Sequence, residues 1–438
     1  MKPTIGYIGM THLGVNSAAA SAAHGFNTVC FDPATRLIDQ LNAGQVHVVE
    51  PGLSELLELH RANLTYTADP TAIRKCEVVY ISADVATDDQ GQSDLSEIDQ
   101  LIALTIPCLS PTATLVILCQ VPPGYSDKVP LPKYQLYYQV ETLIFGCAVE
   151  RAMYPERFII GCHQPQDRLP QAYRVFLESF NCPILQMRYS SAELAKISIN
   201  CCLVSMVSVA NTLSELCENI EADWSEIVPA LKLDKRIGPH AYLKPGLGIA
   251  GGNLERDLAT VCRLSGNFGT DTTVVRSWIH NSQYRRDWVL RTLQAEVLQQ
   301  DPDAHAAILG LAYKENTHSI KNSPSIHLLR HIGHLTVKVF DPVVSVSQLE
   351  HPRMTKTASA FEAIHDADVV MIMTPWQEFH VLDPVQMAEA MSGRTVIDPF
   401  QVLDADACFK AGLNYFTLGR EPRRVVPGPV EVQKTLYA

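Results

Sequence analysis

No stretch of this chain is rich in lysine or arginine. With a net charge of −12, that absence argues against nucleic acid or an anionic membrane surface as partner. No Cys-x-x-Cys pair occurs among the twelve cysteines. Most of them, such as Cys30, Cys119, Cys201 and Cys202, sit in apolar runs. That pattern reads as buried thiols in a reducing compartment, not as disulfides or a metal site. No uninterrupted apolar run is of membrane-spanning length, and no signal-peptide pattern precedes the strand-like Thr4-Ile5. A cytoplasmic location is the expectation. Low-complexity segments are lacking too. What is present is 438 residues of ordinary globular composition, too many for one core, so two or three domains are expected.

The chain is organised around Tyr242-Leu243-Lys244-Pro245-Gly246-Leu247-Gly248-Ile249-Ala250-Gly251-Gly252-Asn253, continuing to Asp257. Four glycines in the seven residues from Gly246 to Gly252 predict a loop whose backbone can approach a ligand closely. A helix-friendly run from Leu254 to Leu264 follows, with Asn253 as its expected N-cap. Free N–H groups at such a helix start suit an anionic or oxygen-rich ligand. The alternative is an ordinary tight turn before a helix.

Near the N-terminus, Thr4 to Ile8 reads as a strand and Gly9, Thr11 and Gly14 as a turn. An Ala-rich helix is expected from Val15 to His24, then a strand from Phe26 to Phe31 ending in Asp32. Strand, glycine turn, helix, strand and acid form the start of a dinucleotide-binding unit. Asp32 is placed to accept from a ribose hydroxyl, which favours NAD over NADP. Thr11 replaces the glycine that lets the backbone approach a pyrophosphate, so Thr11→Gly is expected to tighten binding. Further strands are expected at 78–82, 113–118 and 158–161, with helices between, which implies a parallel sheet covered on both faces. The segment 130–140 has no clear assignment. From Ser191 to Ile220 a helix apolar round much of its circumference is expected, capped by Ser190 or Ser191. Helices continue to about Gln300. After Asp301-Pro302-Asp303, strands at 306–311, 336–340, 369–374, 395–398 and 414–418 predict a second α/β domain. The tail from Glu421 reads as extended or loose.

These pieces, in this order, resemble the UDP-glucose/GDP-mannose dehydrogenase family. The landmarks include Glu50-Pro51-Gly52-Leu53, Asp94-Leu95-Ser96, Val121-Pro122, Glu141, Glu193 with Lys196 and Asn200, Arg236-Ile237-Gly238, the glycine loop, Gly310 to Lys314, Ser323-Pro324-Ser325 and Asp341-Pro342. The resemblance covers nearly the whole chain. It implies two Rossmann-like parallel-sheet domains joined by a helical dimerisation domain: an NAD-binding domain at 1–188, a helical middle at 189–300 and a nucleotide-sugar domain at 301–438. It also implies a homodimer or higher oligomer, and a place in polysaccharide biosynthesis. By the resemblance, Glu141, Lys196, Asn200 and Asp257 are catalytic. Gly9, Thr11, Gly14, Asp32, Gln120 and Lys321 face NAD. Arg236, Gly248, Gly251, Gly252 and Lys314 face the nucleotide-sugar, with Arg236 reaching across the dimer.

One departure bears on the reaction. Family members take four electrons from a sugar alcohol through a cysteine-bound intermediate, and the cysteine lies in a loop of pattern GFGGSCxxKD. Here that position is Asn253, counted with the catalytic residues and expected to hydrogen-bond the substrate hydroxyl or the carbonyl product. An amide is not a working nucleophile, whereas a thiolate is. The family's STVPxGT threonine aligns with Gln120, the second glutamate of PEFLxEG with Phe145, and a late arginine with Phe400. The expected function is NAD-dependent oxidation of a nucleotide-sugar that stops after two electrons, at an aldehyde or ketone. The alternatives are four-electron oxidation through the aldehyde hydrate, and an idle paralogue that binds nucleotide-sugar without turning it over.

Overall fold

The computed structural model describes residues 2–88, 91–345 and 349–425; the end of the tail, 426–438, lies outside them. The chain divides into two compact units. One comprises Met1–Asn200 with Ala259–Val261, the other Cys201–Leu258 with Cys262–Ala438.

The first unit is built on β1 (Ile5–Ile8), β2 (Thr28–Phe31), β3 (Leu64–Thr67) and β4 (Val78–Ile81). A small hairpin, β5 (Ala86–Thr87) and β6 (Ser93–Asp94), follows. Then come β7 (Thr114–Ile117), β8 (Leu136–Gln139), β9 (Phe158–Cys162) and β10 (Ile184–Arg188). Eight of these form one sheet in the order β10-β9-β8-β7-β4-β1-β2-β3. Every residue of β1, β2, β4 and β7 is buried, as both faces of a helix-covered sheet require. Tyr7 lies opposite Cys30 on one side and Tyr80 on the other. The expected all-parallel arrangement needs one correction. β8 and β9 are antiparallel, with Tyr138 opposite Gly161. Between them lies only the six-residue helix Ala148–Met153, and the chain comes back in the opposite sense. The unassigned segment 130–140 supplies β8.

The helix after β1 runs His12–Ala23, starting earlier than expected. The long helix Tyr189–Cys217 begins as soon as β10 ends, so neither Ser190 nor Ser191 caps it. Glu193 instead accepts from the Gly124 amide at 2.6 Å and the Ser126 amide at 2.9 Å. Among the described residues this is the one helix long and apolar enough, by composition, to cross a membrane. Polar residues interrupt its apolar surface at Glu193, Lys196, Asn200 and Asn211. These polar residues include groups bonded within the protein: Asn211 Oδ1, for example, accepts from the Gly246 amide at 2.8 Å.

The second unit carries β11 (Ala306–Leu309), β12 (Val337–Phe340), β13 (Met354–Lys356), β14 (Val369–Ile372), β15 (Thr395–Ile397) and β16 (Asn414–Phe416). They pair in parallel in the order β13-β12-β11-β14-β15-β16. Helices Trp224–Leu233, Asn253–Gly266, Thr273–Arg286 and Trp288–Leu293 belong to the same stretch of chain as the glycine loop. At their centre Arg285 is fully buried. It pairs with Glu218 at 2.7 Å and Glu215 at 3.2 Å. Glu218 also accepts from Trp288 Nε1 at 2.9 Å and the Gly419 amide at 3.0 Å. A buried guanidinium needs such partners to offset its desolvation. All twelve cysteines are free thiols.

Candidate active site

In the first unit the turn after β1 is shaped by close approach. Gly9 has φ +92°, and a Cβ on Gly14 would lie 1.9 Å from the Gly9 carbonyl oxygen. Only glycine lets the helix start this near the strand end. Asp32, at the end of β2, accepts from the Met10 amide at 2.8 Å and the Ala34 amide at 2.9 Å. Its carboxylate therefore stiffens the turn while remaining at the strand end where a ribose diol is held in this type of fold. Thr11 does not point into the turn. Its hydroxyl donates to the Ser82 carbonyl at 3.3 Å and accepts from the Asp84 amide at 2.9 Å. The tight turn, the short approach and the terminal acid fit the adenosine half of a dinucleotide.

On the same unit the structure brings Glu141 and Lys196 together, Nζ to Oε2 3.4 Å, both largely shielded. Asn200, one turn further along the long helix, is buried. Gln120 follows β7 beside the buried Cys119. Phe145 stacks on His12 with ring centroids 4.0 Å apart. His12 Nε2 lies 2.7 Å from Glu50 Oε1, and Glu50 also takes the Gly146 and Ala148 amides. Sequence reading did not place His12 or Glu50 in this cluster. Their signal was the landmark Glu50-Pro51-Gly52, which has no chemistry until the fold places it beside the turn.

The second unit holds the glycine loop. Gly248, Gly251 and Gly252 all have positive φ. A Cβ on Gly248 would sit 2.3 Å from the Ser282 carbonyl oxygen, and one on Gly251 2.7 Å from the Tyr313 ring. The Gly251 amide donates to the Lys321 carbonyl at 3.0 Å, and the Ile249 amide to the Ser282 hydroxyl at 2.8 Å. Asn322 donates to Glu255 in the first turn of the following helix. Burial raises the Glu255 carboxyl above its ordinary range. The expected cap is corrected: Gly252 is the N-cap, and Asn253 is the exposed first residue of the helix. With three left-handed glycines the chain turns into the helix at Gly252, so Asn253 is already helical. Asp257, on the buried side of this helix, lies 3.4 Å from Arg256 Nε. Lys321 packs along Gly252, and Lys314 stands over the Tyr313 ring. Arg236, mostly exposed, pairs with Asp234 at 2.6 Å.

The same unit contains a cavity of about 520 Å³ that the sequence did not reveal. Lys232, His240 and Lys244 line it with Trp224, Tyr242 and Phe400. Cationic and aromatic walls of this kind suit an anion that carries a flat ring.

This fold, with its NAD-type turn and its second α/β unit, defines an NAD-dependent oxidoreductase acting on CH–OH groups of nucleotide-linked sugars. Three family models match: the NAD-binding domain over residues 3–179, the central domain over 190–283 and the UDP-binding domain over 307–405. The chain belongs to the UDP-glucose/GDP-mannose dehydrogenase family, and its cofactor is NAD. It is 27% identical to a UDP-glucose 6-dehydrogenase of Rickettsia typhi, covering 95% of this chain and 99% of the relative. With the UDP-glucose 6-dehydrogenase TuaD of Bacillus subtilis the identity is 25%, over 95% and 93% of the two chains. Among solved structures, a UDP-glucose dehydrogenase from Pyrobaculum islandicum shares the fold with a TM-score of 0.83 at 22% identity, covering 96% and 98%. A UDP-D-ManNAc dehydrogenase from Pyrococcus horikoshii gives 0.80 at 20%, covering 95% and 99%.

Proposed function

We propose that this protein oxidises a nucleotide-sugar by two electrons and releases a carbonyl product, one NADH per sugar. The observation that carries this reading is Asn253, an amide side chain exposed at the head of the loop helix, where the family pattern has its nucleophilic cysteine. No cysteine lies elsewhere in the loop, residues 242–257. Cys201, the thiol that feels the Asp257 charge, is pushed up to about 11 by burial first and by Asp257 second. It is a protonated thiol at neutral pH and a poor nucleophile.

In this reading NAD, when bound, supplies the hydride acceptor. Lys196 and Asn200 stabilise the alkoxide that forms as the hydroxyl loses its proton. Glu141, paired with Lys196, keeps the ammonium oriented. Asp257 holds water or the departing proton. Gln120 and Lys321 attend the cofactor; Lys314, Arg236 and the amides of Gly248, Gly251 and Gly252 attend the nucleotide-sugar. The cavity with Lys232, His240 and Lys244 takes the nucleotide end. The product is a ketone or an aldehyde, and the protein balances one alcohol and one NAD⁺ against one carbonyl, one NADH and one proton. We read residues 1–188, 189–300 and 301–438 as three functional domains. The long helix, with Leu194, Val209, Leu213 and Leu216 exposed, joins two copies.

The test is the ratio of NADH formed to nucleotide-sugar consumed at completion, with mass analysis of the product. A ratio of one, and a product two hydrogens lighter, supports the reading. A ratio of two with a carboxylate product overturns it. On Asn253→Cys, a fraction of carboxylate is expected.

A further inference from the structure

We propose that Asp84 gates the affinity for the cofactor: its carboxylate stands at the head of the first helix, where the diphosphate bridge of a dinucleotide docks, and must swing clear when NAD binds.

The geometry is local. The Leu13 amide, in the first turn of the helix His12–Ala23, donates to Asp84 Oδ2 at 3.4 Å. Thr11, the N-cap residue, makes no side-chain bond to its own helix. Its hydroxyl is committed to Ser82 and to the Asp84 amide, so it fixes the segment that carries Asp84 against the turn. The positive end of a helix attracts a carboxylate for the same reason that it attracts a phosphate. The two anions compete for one place, and their mutual repulsion opposes joint occupancy. Nor is Asp84 alone. The Glu97 carboxyl is held above its ordinary range by its burial and then by the charges of Asp32, Asp84 and Asp94. This strand edge is therefore negative where the incoming ligand is negative.

The contact is also easily broken. At 3.4 Å it is a long hydrogen bond, and Asp84 is exposed. Asp84 thus lowers affinity without abolishing binding. It also changes the role of Thr11, which acts here as the positioning residue for Asp84.

The inference rests on the NAD assignment and not on the number of hydrides transferred, so its test is binding alone. Purified full-length protein is titrated with NAD, ADP and adenosine, beside the variants Asp84→Asn, Asp84→Ala and Glu97→Gln. Asp84→Asn removes the charge at constant shape; Asp84→Ala also removes the acceptor. Both are expected to bind NAD and ADP about fivefold tighter, the scale of one charge contact at an exposed site. The gain should shrink as salt is raised. Adenosine, which has no phosphate, should bind all forms alike, and Glu97→Gln should gain less than either Asp84 variant. Unchanged or weaker binding of NAD by both Asp84 variants overturns the proposal. So does an equal gain for adenosine, which would mean the pocket had been reshaped.

Discussion

Two glycines two positions apart in the loop behave as opposites. Gly248 has φ +77°, and its missing Cβ would strike the Ser282 carbonyl at 2.3 Å. Gly246 has nothing within 4 Å of the same position. Gly248→Ala is therefore expected to cost about 2–4 kcal/mol and to abolish turnover, because both backbone strain and a clash must be relieved. Gly246→Ala should stay within about 0.5 kcal/mol of the parent. Thermal unfolding of the two variants checks this; equal losses would mean the loop relaxes freely. His327 gives a pH prediction. Burial, and next the Arg286 charge, hold its imidazole below the ordinary value of 6.5, while its Nε2 lies 2.8 Å from Asp287. The folded protein then binds this proton less readily than the unfolded chain. Stability is full above 6.5 and falls as pH drops from there through the lowered folded value. His327→Gln should flatten the fall in unfolding temperature over that window. A slope identical to the parent's would assign the acid sensitivity to other groups.

At the scale of elements, legibility followed burial. Strands buried on both faces, such as β1, β4, β7, β11 and β14, were legible as continuous apolar runs. The strands that were not legible lie at or near sheet edges: β3, β10 and β13 are partly exposed, so no unbroken run marks them. β8 is buried but reads Leu-Tyr-Tyr-Gln, a pattern a loop could share. The start of the long helix was missed because nothing local sets it; β10 feeds it directly and Glu193 is spent on the 124–126 turn. The Arg285 cluster could not be read either, since the residues that meet there are nearly seventy apart or more in sequence. Its energetic weight is testable. Arg285→Met leaves the largely shielded Glu218 without its cation and should cost about 3–5 kcal/mol, measured by denaturant unfolding. A loss under about 1 kcal/mol would mean water reaches the carboxylate.

For the whole molecule, the architecture was legible from the order of motifs, and Gly9, Asp32, Lys196 and Asp257 could be proposed as site residues because they stand in recognisable local patterns. The cavity beside Trp224 was not, because its walls come from three separate stretches, at 224–232, 239–245 and 399–401. Association of two copies through the long helix predicts a dimer in sedimentation at micromolar concentration. A monomer there would leave the exposed face of Leu194, Val209, Leu213 and Leu216 without its proposed role. A last consequence concerns inheritance. The loop's Gly251 is fastened to the Lys321 carbonyl and pressed on Tyr313, and Glu255 is tied to Asn322. Residues on both sides of the Asp301-Pro302 break therefore fit one another as lock and ward. A recombination crossover at that break would separate parts that have been shaped together. Hybrids with a relative should work only when 242–323 passes as one block, and the natural place to splice this protein lies outside the boundary that its secondary structure suggests.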